Sequence, residues 1–439
     1  MTQKGIQRRD FLKTSLAGSA LAAAGVRPAS GASANDRIGV AVIGVGRQGQ
    51  FLLRNFARES EVEIVALCDV YEPNLMHAAE EFQAETFGDF RRVLDSSDVD
   101  AVVVATPDHW HALMSVLACQ AGKDVFVEKP ASLTVVEGRK MAQAARKYGR
   151  IVQVGTQQRS GLHFQDAVQN IQKGEIGTVS AVRTWNFGNS TPHGFGRLPD
   201  SEPPENLDWD LWLGPAPVVP FNANRFGVFP DRWSSFRWYW DYVGGMMTDW
   251  GAHHLDIVQW AAEAQGPTAV SAAGGNWVVD DGRECPDTLT AVFEYPGFLC
   301  TYENRNGNGR TINEKSYGIE FYGSEGTLLL DRDGFEILPE HRSEGNRRIP
   351  RMYAMQSANR NNQGQDHVRN FLDCMHSREA PISDIEGGHA SATACHLANI
   401  AYRTGSRIEW DPQTETLAGP DEAVAMLSKP YRPPWKLEV

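Results

Sequence analysis

Residues 37–49 read RIGVAVIGVGRQG. The run from Arg37 to Ile43 is short, apolar and rich in β-branched residues, which predicts a buried parallel strand. Gly44, Gly46 and Gly49 follow at once, and Gln50 to Arg58 reads as a helix with Phe51, Leu52 and Phe56 turned inward. A second strand-like run, Glu63 to Cys68, ends in Asp69, twenty residues past the last glycine. The glycine spacing alone is a weak signal. A strand before it, a helix after it and an acid at this distance make it a dinucleotide-binding fingerprint. Gly44 suits the tight turn, Gly46 the approach of a pyrophosphate, and Gly49 the contact of helix with strand. Arg47 and Gln48 stand in the same turn, where phosphates meet the positive helix terminus. Asp69 can accept from both ribose hydroxyls of NAD and would repel a 2′-phosphate. NAD is therefore favoured over NADP, a preference Arg47 can soften.

Outward from this unit the alternation continues. Asp98 to Ala105, Asp124 to Val127 and Ile151 to Val154 read as strands, and Asp108 to Gln120 and Thr134 to Tyr148 as helices. Repeated βα units predict a doubly wound parallel sheet, with ligand at the carboxyl ends of its strands. Three loops fall there. The first holds Thr106, Pro107, Asp108, His109, Trp110 and His111; the second Glu128, Lys129 and Pro130; the third runs from Gly155 to Arg159 and includes Gln157. His109, Trp110 and His111 line the cofactor or cap the helix in this reading.

The bulk numbers place limits on function. The chain has 439 residues, enough for two domains, with 41% apolar and 22% charged residues, as in an ordinary globular protein. A net charge of −13 argues against nucleic acid or an anionic membrane as main partner. The six cysteines show no C-x-x-C spacing, and Cys68 is expected to be simply buried. Trp209, Trp212, Trp233, Trp238, Trp240, Trp250 and Trp260 crowd one stretch. They suit either an aromatic core or flat faces that stack on sugar rings.

The first residues resemble a twin-arginine signal peptide. Arg8 and Arg9 precede Phe11 and Leu12, an Ala-rich run extends from Thr14 to Val26, and Ala32–Ala34 offers a cleavage site. Gln7 replaces the usual Ser or Thr. The run is too short and too rich in Gly and Ser for a membrane span.

At Glu128–Lys129–Pro130 the chain resembles the Gfo/Idh/MocA family, the glucose–fructose oxidoreductase and inositol dehydrogenase group. Two further matches lie in Gly244–Asp256, where a glycine pair precedes Asp249 and then His253, and in Tyr322–Thr327. The resemblance implies an α/β protein: a Rossmann domain joined to an α/β domain with an open, mainly antiparallel sheet. Strand-like runs at 178–187, 288–295, 298–303, 318–322 and 327–330 agree, and 365–375 and 388–404 read as helices. The expected division is a signal peptide (1–34), an NAD-binding domain (35–158), a substrate and oligomerisation domain (159–410) and a C-terminal arm (411–439). The stretch from Asn189 to Arg237 matches no core pattern of the family.

The resemblance also assigns roles. Lys129 would hydrogen-bond the reacting hydroxyl, His253 would take its proton, and Asp249 would orient substrate or base. Asp249 and His253, at i and i+4, share a helix face. With Asp256 they also have metal-ligand spacing, but hydride transfer needs no metal and none is expected. Gln157 joins the cofactor candidates, and Arg159, Arg237, Trp238 and Trp240 are candidate substrate contacts. Homodimers or homotetramers and a sugar or polyol substrate are the implied partners. A periplasmic enzyme meets no maintained pool of soluble NAD, so the cofactor is expected to stay bound. It would serve either paired sugar redox or, as in family glycosidases, a redox-neutral hydrolysis. A non-catalytic sugar-binding protein on the same fold is a third reading.

Overall fold

The computed structural model describes residues 37–228 and 234–439. The signal-peptide reading of 1–34 and the tryptophan at Trp233 lie outside them.

The first sheet is built from β1 (Ile38–Ile43), β2 (Val62–Cys68), β3 (Glu85–Phe87), β4 (Ala101–Val104), β5 (Asp124–Val127) and β6 (Val152–Val154). All its pairings are parallel, in the order β3-β2-β1-β4-β5-β6. The strand order reverses between β1 and β4, where a doubly wound sheet opens its ligand crevice. β1 is buried along its whole length, which is why its sequence is continuously apolar rather than alternating.

The helix after β1 spans Arg47–Phe56, so it begins inside the glycine motif, three residues before the expected start. Leu52, Leu53 and Phe56 face the sheet, whereas Phe51, expected inward, is 46% exposed. At 100° per residue Leu52, Leu53 and Phe56 fill the narrow stripe that meets the sheet, and Phe51 is rotated to its flank. β4 is shorter than the run 98–105, and just before it the Asp100 side chain accepts from the Gly39 N–H at 2.8 Å. The reading of 108–120 as one helix is also corrected: Asp108–Trp110 forms a 3₁₀ turn, and the α-helix is His111–Gln120. The helix Val135–Tyr148 carries its own limits. Thr134 and Glu137 form a reciprocal capping box, worth about 1 kcal/mol, and Gly149 ends it at φ 61°.

The second sheet has ten strands. β7 (Val179–Phe187), β8 (Ala269–Gly275), β9 (Thr288–Tyr295), β10 (Phe298–Arg305), β11 (Tyr317–Gly323) and β12 (Gly326–Leu330) form its body. β13 (Gly334–Pro339), β16 (Met355–Ala358), β17 (Ile408–Asp411) and β18 (Thr416–Ala418) complete it, and β14 (His341–Glu344) with β15 (Arg347–Pro350) makes a separate hairpin. Among the described strands of this sheet only β7 and β10 pair in parallel. The helices Leu162–Gln172, Gly245–Ala261 and Ile385–Thr404 cover one face, with Phe164, Leu255 and Leu397 buried against Phe293, Tyr302 and Phe321.

Two late segments return to the first sheet. The helix Gln363–Ser377 packs Phe371 edge-on against Phe56 and Phe126, at 6.0 and 5.8 Å. Near the C-terminus Trp435 meets the Trp110 ring at 4.9 Å, and Arg432 Nε donates to the Gly214 carbonyl at 2.9 Å. All six cysteines are buried and free of disulfides. No described helix is long and apolar enough to cross a membrane.

Candidate active site

The glycine turn shows why two of its positions exclude a side chain. Gly44 stands at φ 84°, and a Cβ there would meet the backbone of Ala105 and Thr106 at 2.9 Å. A Cβ on Gly49 would lie 1.9 Å from the Gly44 carbonyl oxygen. Gly46 is the N-cap of Arg47–Phe56, and no side chain caps that helix. Its first-turn N–H groups and dipole are thus available to an anion. Next to it Asp69 accepts from the Val45 and Tyr71 N–H groups, both at 2.9 Å. Burial pushes its carboxyl up to about 6, so it is mainly ionised at neutral pH. This is a cradle for a pyrophosphate beside an acid for a ribose, and NAD fits it.

The cradle opens into a cleft of about 1300 Å³, its mouth included. The candidates Gly44, Gly46, Arg47, Gln48, Asp69, Thr106, Pro107, His111, Glu128 and Lys129 all stand on its wall, with Arg237 from the substrate set. Gly49 lies beneath the wall. Gln157 opens the 3₁₀ turn Gln157–Ser160 and is not on it.

The Glu128 and Lys129 loop follows β5. Gln48 Nε2 donates to Glu128 Oε1 at 2.7 Å. Lys129 Nζ pairs with Asp249 Oδ1 at 2.5 Å, and Arg237 Nε reaches the same oxygen at 3.2 Å. Burial acts to raise the Asp249 carboxyl, but Lys129 and Arg237 outweigh it and hold it well below the usual carboxylate range. Through Asp249 the cleft is connected to the helix Gly245–Ala261, which carries His253 one turn on. His253 is 5% exposed and its Nδ1 has no partner among the described residues. Burial first, then the charges of Lys129 and Arg332, push its pKa well below the ordinary value. It is a neutral imidazole at physiological pH, able to accept a proton.

Other candidates take different places. Arg159 grips the buried Asp256 with Nε and Nη2 at 2.7 and 2.8 Å, over the Trp260 ring. It is therefore removed from the substrate set, and Asp256 is engaged by Arg159 and Ser391. Trp238 is buried under Arg283 at 3.9 Å, and Trp240 packs beside Tyr402 and Arg403. Neither is on the cleft wall, because the turn Ser235–Trp238 presents Phe236 and Arg237 there and folds Trp238 inward. Trp209 and Trp212 stack at 4.7 Å within an aromatic core that includes Phe221, Phe226 and Tyr242. This core holds the 189–237 segment together, and its Trp212 and Phe226 form part of the cleft wall. His109 and Trp110 both bond the Trp212 carbonyl, at 3.0 and 2.9 Å. His111 bridges the carbonyls of Pro130 and Thr106. Among the described residues no group of three or more His, Cys, Asp or Glu is placed to hold a metal.

Asp108 was not singled out by sequence, although its loop was. It is half-buried on the cleft wall, and burial pushes its carboxyl up to about 8 despite Arg237 and Lys129. The signal available was its position just after the end of β4.

The turn geometry carries a direct expectation. Gly49→Ala forces its new Cβ into the Gly44 carbonyl, which is backbone and cannot swing away. NAD affinity should fall at least about tenfold with a lowered Tm, a cost of about 1–3 kcal/mol for overpacking. Unchanged nucleotide binding by calorimetry would refute this account of the turn.

Moving a proton and two electrons at one carbon calls for a nicotinamide cradle and ionisable groups near it, and this fold places the cradle and Lys129 on one cleft, with Asp249 paired to that lysine. The class is that of NAD(P)-dependent oxidoreductases. Residues 38–156 match the oxidoreductase family's NAD-binding Rossmann fold, and residues 153–276 and 344–437 its C-terminal α/β domain; the chain belongs to the Gfo/Idh/MocA family. It is 26% identical to the uncharacterized oxidoreductase YrbE of Bacillus subtilis over 66% of this chain and 72% of that one. It is 30% identical to the inositol 2-dehydrogenase of Salmonella typhimurium over 34% of this chain, spanning 46% of that enzyme. The WlbA dehydrogenase of Bordetella pertussis, solved with NADH and UDP-GlcNAcA, shares the fold with a TM-score of 0.64 at 19% identity, over 85% of this chain and 99% of that one.

Proposed function

We propose that this protein transfers a hydride between a permanently held NAD and a CH–OH carbon of a sugar or polyol, in the periplasm after twin-arginine export. The observation that carries this reading is Lys129, on the wall of the glycine-cradled cleft, paired with Asp249, with the neutral His253 one helical turn beyond that aspartate.

When bound, NAD supplies the acceptor or donor of two electrons and a hydrogen at the substrate carbon. The Lys129 ammonium donates to the substrate oxygen and stabilises negative charge as it develops there. Asp249, kept ionised, holds that ammonium in place. His253 takes the hydroxyl proton in oxidation and returns it in reduction. The hydrophobic wall formed by Trp212 and Phe226 limits water.

Two further features support a retained cofactor. Export removes the protein from a regenerating pool. The 189–237 segment is also sewn to the loop after β2: Asp208 N–H donates to the Val70 carbonyl and Glu72 N–H to the Asn206 carbonyl, both at 3.0 Å. The segment therefore borders the cleft beside Asp69. The outer face of the ten-stranded sheet exposes Leu299 and Leu338, each 50% accessible, and suits a homodimer or homotetramer.

The test is to denature the purified protein and identify released nucleotide by mass and absorbance. About one NAD or NADH per chain is expected, with its redox state shifting when sugars or polyols are added. No nucleotide, and no binding when it is supplied, would overturn the reading. Release of sugar from a glycoside with no net redox change would favour the hydrolytic reading instead.

A further inference from the structure

The turn between β12 and β13 carries a guanidinium that the mechanism above does not use for binding. Asp331 anchors this turn. Its Oδ1 accepts from the N–H groups of Asp333 and Gly334 at 2.8 and 3.2 Å. Its other oxygen pairs with Lys315 at 2.6 Å, and its carbonyl meets His163 Nε2 at 3.0 Å. From this fixed base Arg332 lays its guanidinium over the ring of Trp250, 4.9 Å from the centroid. Trp250 sits between Asp249 and His253 on the helix Gly245–Ala261, with Tyr317 tilted against it at 4.6 Å. The Arg332 charge is near enough to act on both His253 and His254.

Unlike the other cations around this centre, Arg332 has no anion bonded to it, and Asp249 and Glu128 act on it only through space. Lys129 and Arg237 share Asp249, Arg159 is held by Asp256, and Arg283 by Asp281. Arg332 makes no hydrogen bond or ion pair to any described residue, and its Nε is shielded from solvent without a partner. Burial lowers its pKa and outweighs the through-space pull of Tyr317, Asp249 and Glu128. Such a group is costly unless something binds it, and local rules are broken most often at functional sites. An aromatic ring on one side and an open donor fork are the usual setting for a planar carboxylate. A phosphate dianion would call for more than one unpaired cation.

We propose that the substrate is a sugar acid: its carboxylate pairs with Arg332 over Trp250 while the reacting hydroxyl meets Lys129 and His253. This inference rests on the oxidoreductase reading and narrows it to an anionic substrate class. Arg332 then sets which sugars are accepted, and it orients them by their acidic end.

The experiment compares matched ligands on the purified protein with its cofactor. Glucuronate and galacturonate are titrated against glucose and galactose, and against the hexose 6-phosphates. Tryptophan fluorescence reports binding and nicotinamide absorbance reports redox. At least one uronate should bind roughly 10–100-fold more tightly than its neutral partner, the range for a hydrogen bond to a charged group. In Arg332→Gln the acid-over-neutral ratio should collapse to about 1, and Arg332→Lys should restore part of it. A purely structural arginine would weaken both ligands together and leave the ratio unchanged. Equal binding of acid and neutral sugar, preference for the phosphates, or a preference that survives Arg332→Gln would each overturn the proposal. Reduction of bound NAD by a neutral sugar with no preference for uronates would refute the sugar acid alone. Absence of NAD would refute the oxidoreductase reading, and the binding ratio would still judge the anion site.

Discussion

In His253→Ala, turnover is expected to fall by roughly 10²–10⁴-fold, the usual contribution of a positioned general base, while Tm and bound NAD change little. His253 is suited to so clean a test because its Nδ1 has no partner to orphan. Lys129→Ala should cost at least as much in rate but less cleanly. It removes the closer of two cations on Asp249 and leaves only Arg237, at 3.2 Å. Breaking a buried pair costs about 3–5 kcal/mol when nothing replaces it, so this variant should lose some stability too. The pH profile gives a second readout. The imidazole is held far below its ordinary pKa by burial, Lys129 and Arg332, so it remains neutral well below pH 6.5. Oxidation by the wild type should therefore keep its rate down to that range. Turnover of His253→Ala within threefold of wild type would remove the residue from the mechanism.

The second large effect is on stability in acid. Burial holds His109 and His254 down to about 3, and His111, His367 and His396 down to about 4, against an ordinary 6.5. The folded pKa is depressed in each case, so the unfolded chain binds more protons between these values. Their stabilising contribution is complete above pH 6.5 and is lost as pH falls toward 4. At about 1.4 kcal/mol per unit, five such groups together lose on the order of 10 kcal/mol by pH 4.5. Asp69 and Asp108, raised to about 6 and about 8, act in the opposite sense. Their raised values make the folded state less stable at neutral pH, where the unfolded carboxyls ionise freely, and that cost disappears as pH falls toward 4, which offsets part of the loss. The remainder is comparable with a whole domain's stability, about 5–15 kcal/mol. Cooperative acid unfolding between about pH 4 and 5.5 is expected by circular dichroism and tryptophan fluorescence. Native near-UV dichroism persisting at pH 3.5 would contradict it.

Much of this protein was legible from local pattern. The β-branched run 38–43 points to a strand buried on both faces, the glycines to a tight dinucleotide-binding turn, and the pattern of 134–148 to a helix. The resemblance placed Lys129, Asp249 and His253 in one centre, and the structure brings Lys129 to Asp249, with His253 one turn further along the same helix. Phe51 was misread because apolarity does not reveal which side of a narrow helix stripe a residue takes. Arg159, Trp238 and Trp240 were misplaced for another reason: each satisfies its side chain against residues far along the chain or on the inner side of a turn.

The sequence by itself determined the parallel βα unit, its dinucleotide cradle and the i, i+4 placement of Asp249 and His253, since these depend on backbone conformation and spacing within a few residues. Only the tertiary structure decided that the helix Gln363–Ser377 returns to cover the first sheet. It alone decided that Arg159 spends its charge on Asp256, and that Arg332 stacks on Trp250 with no anion bonded to it. Those outcomes depend on which groups are brought together after burial. A charge removed from water takes the nearest partner in space, and no short window of sequence contains that partner.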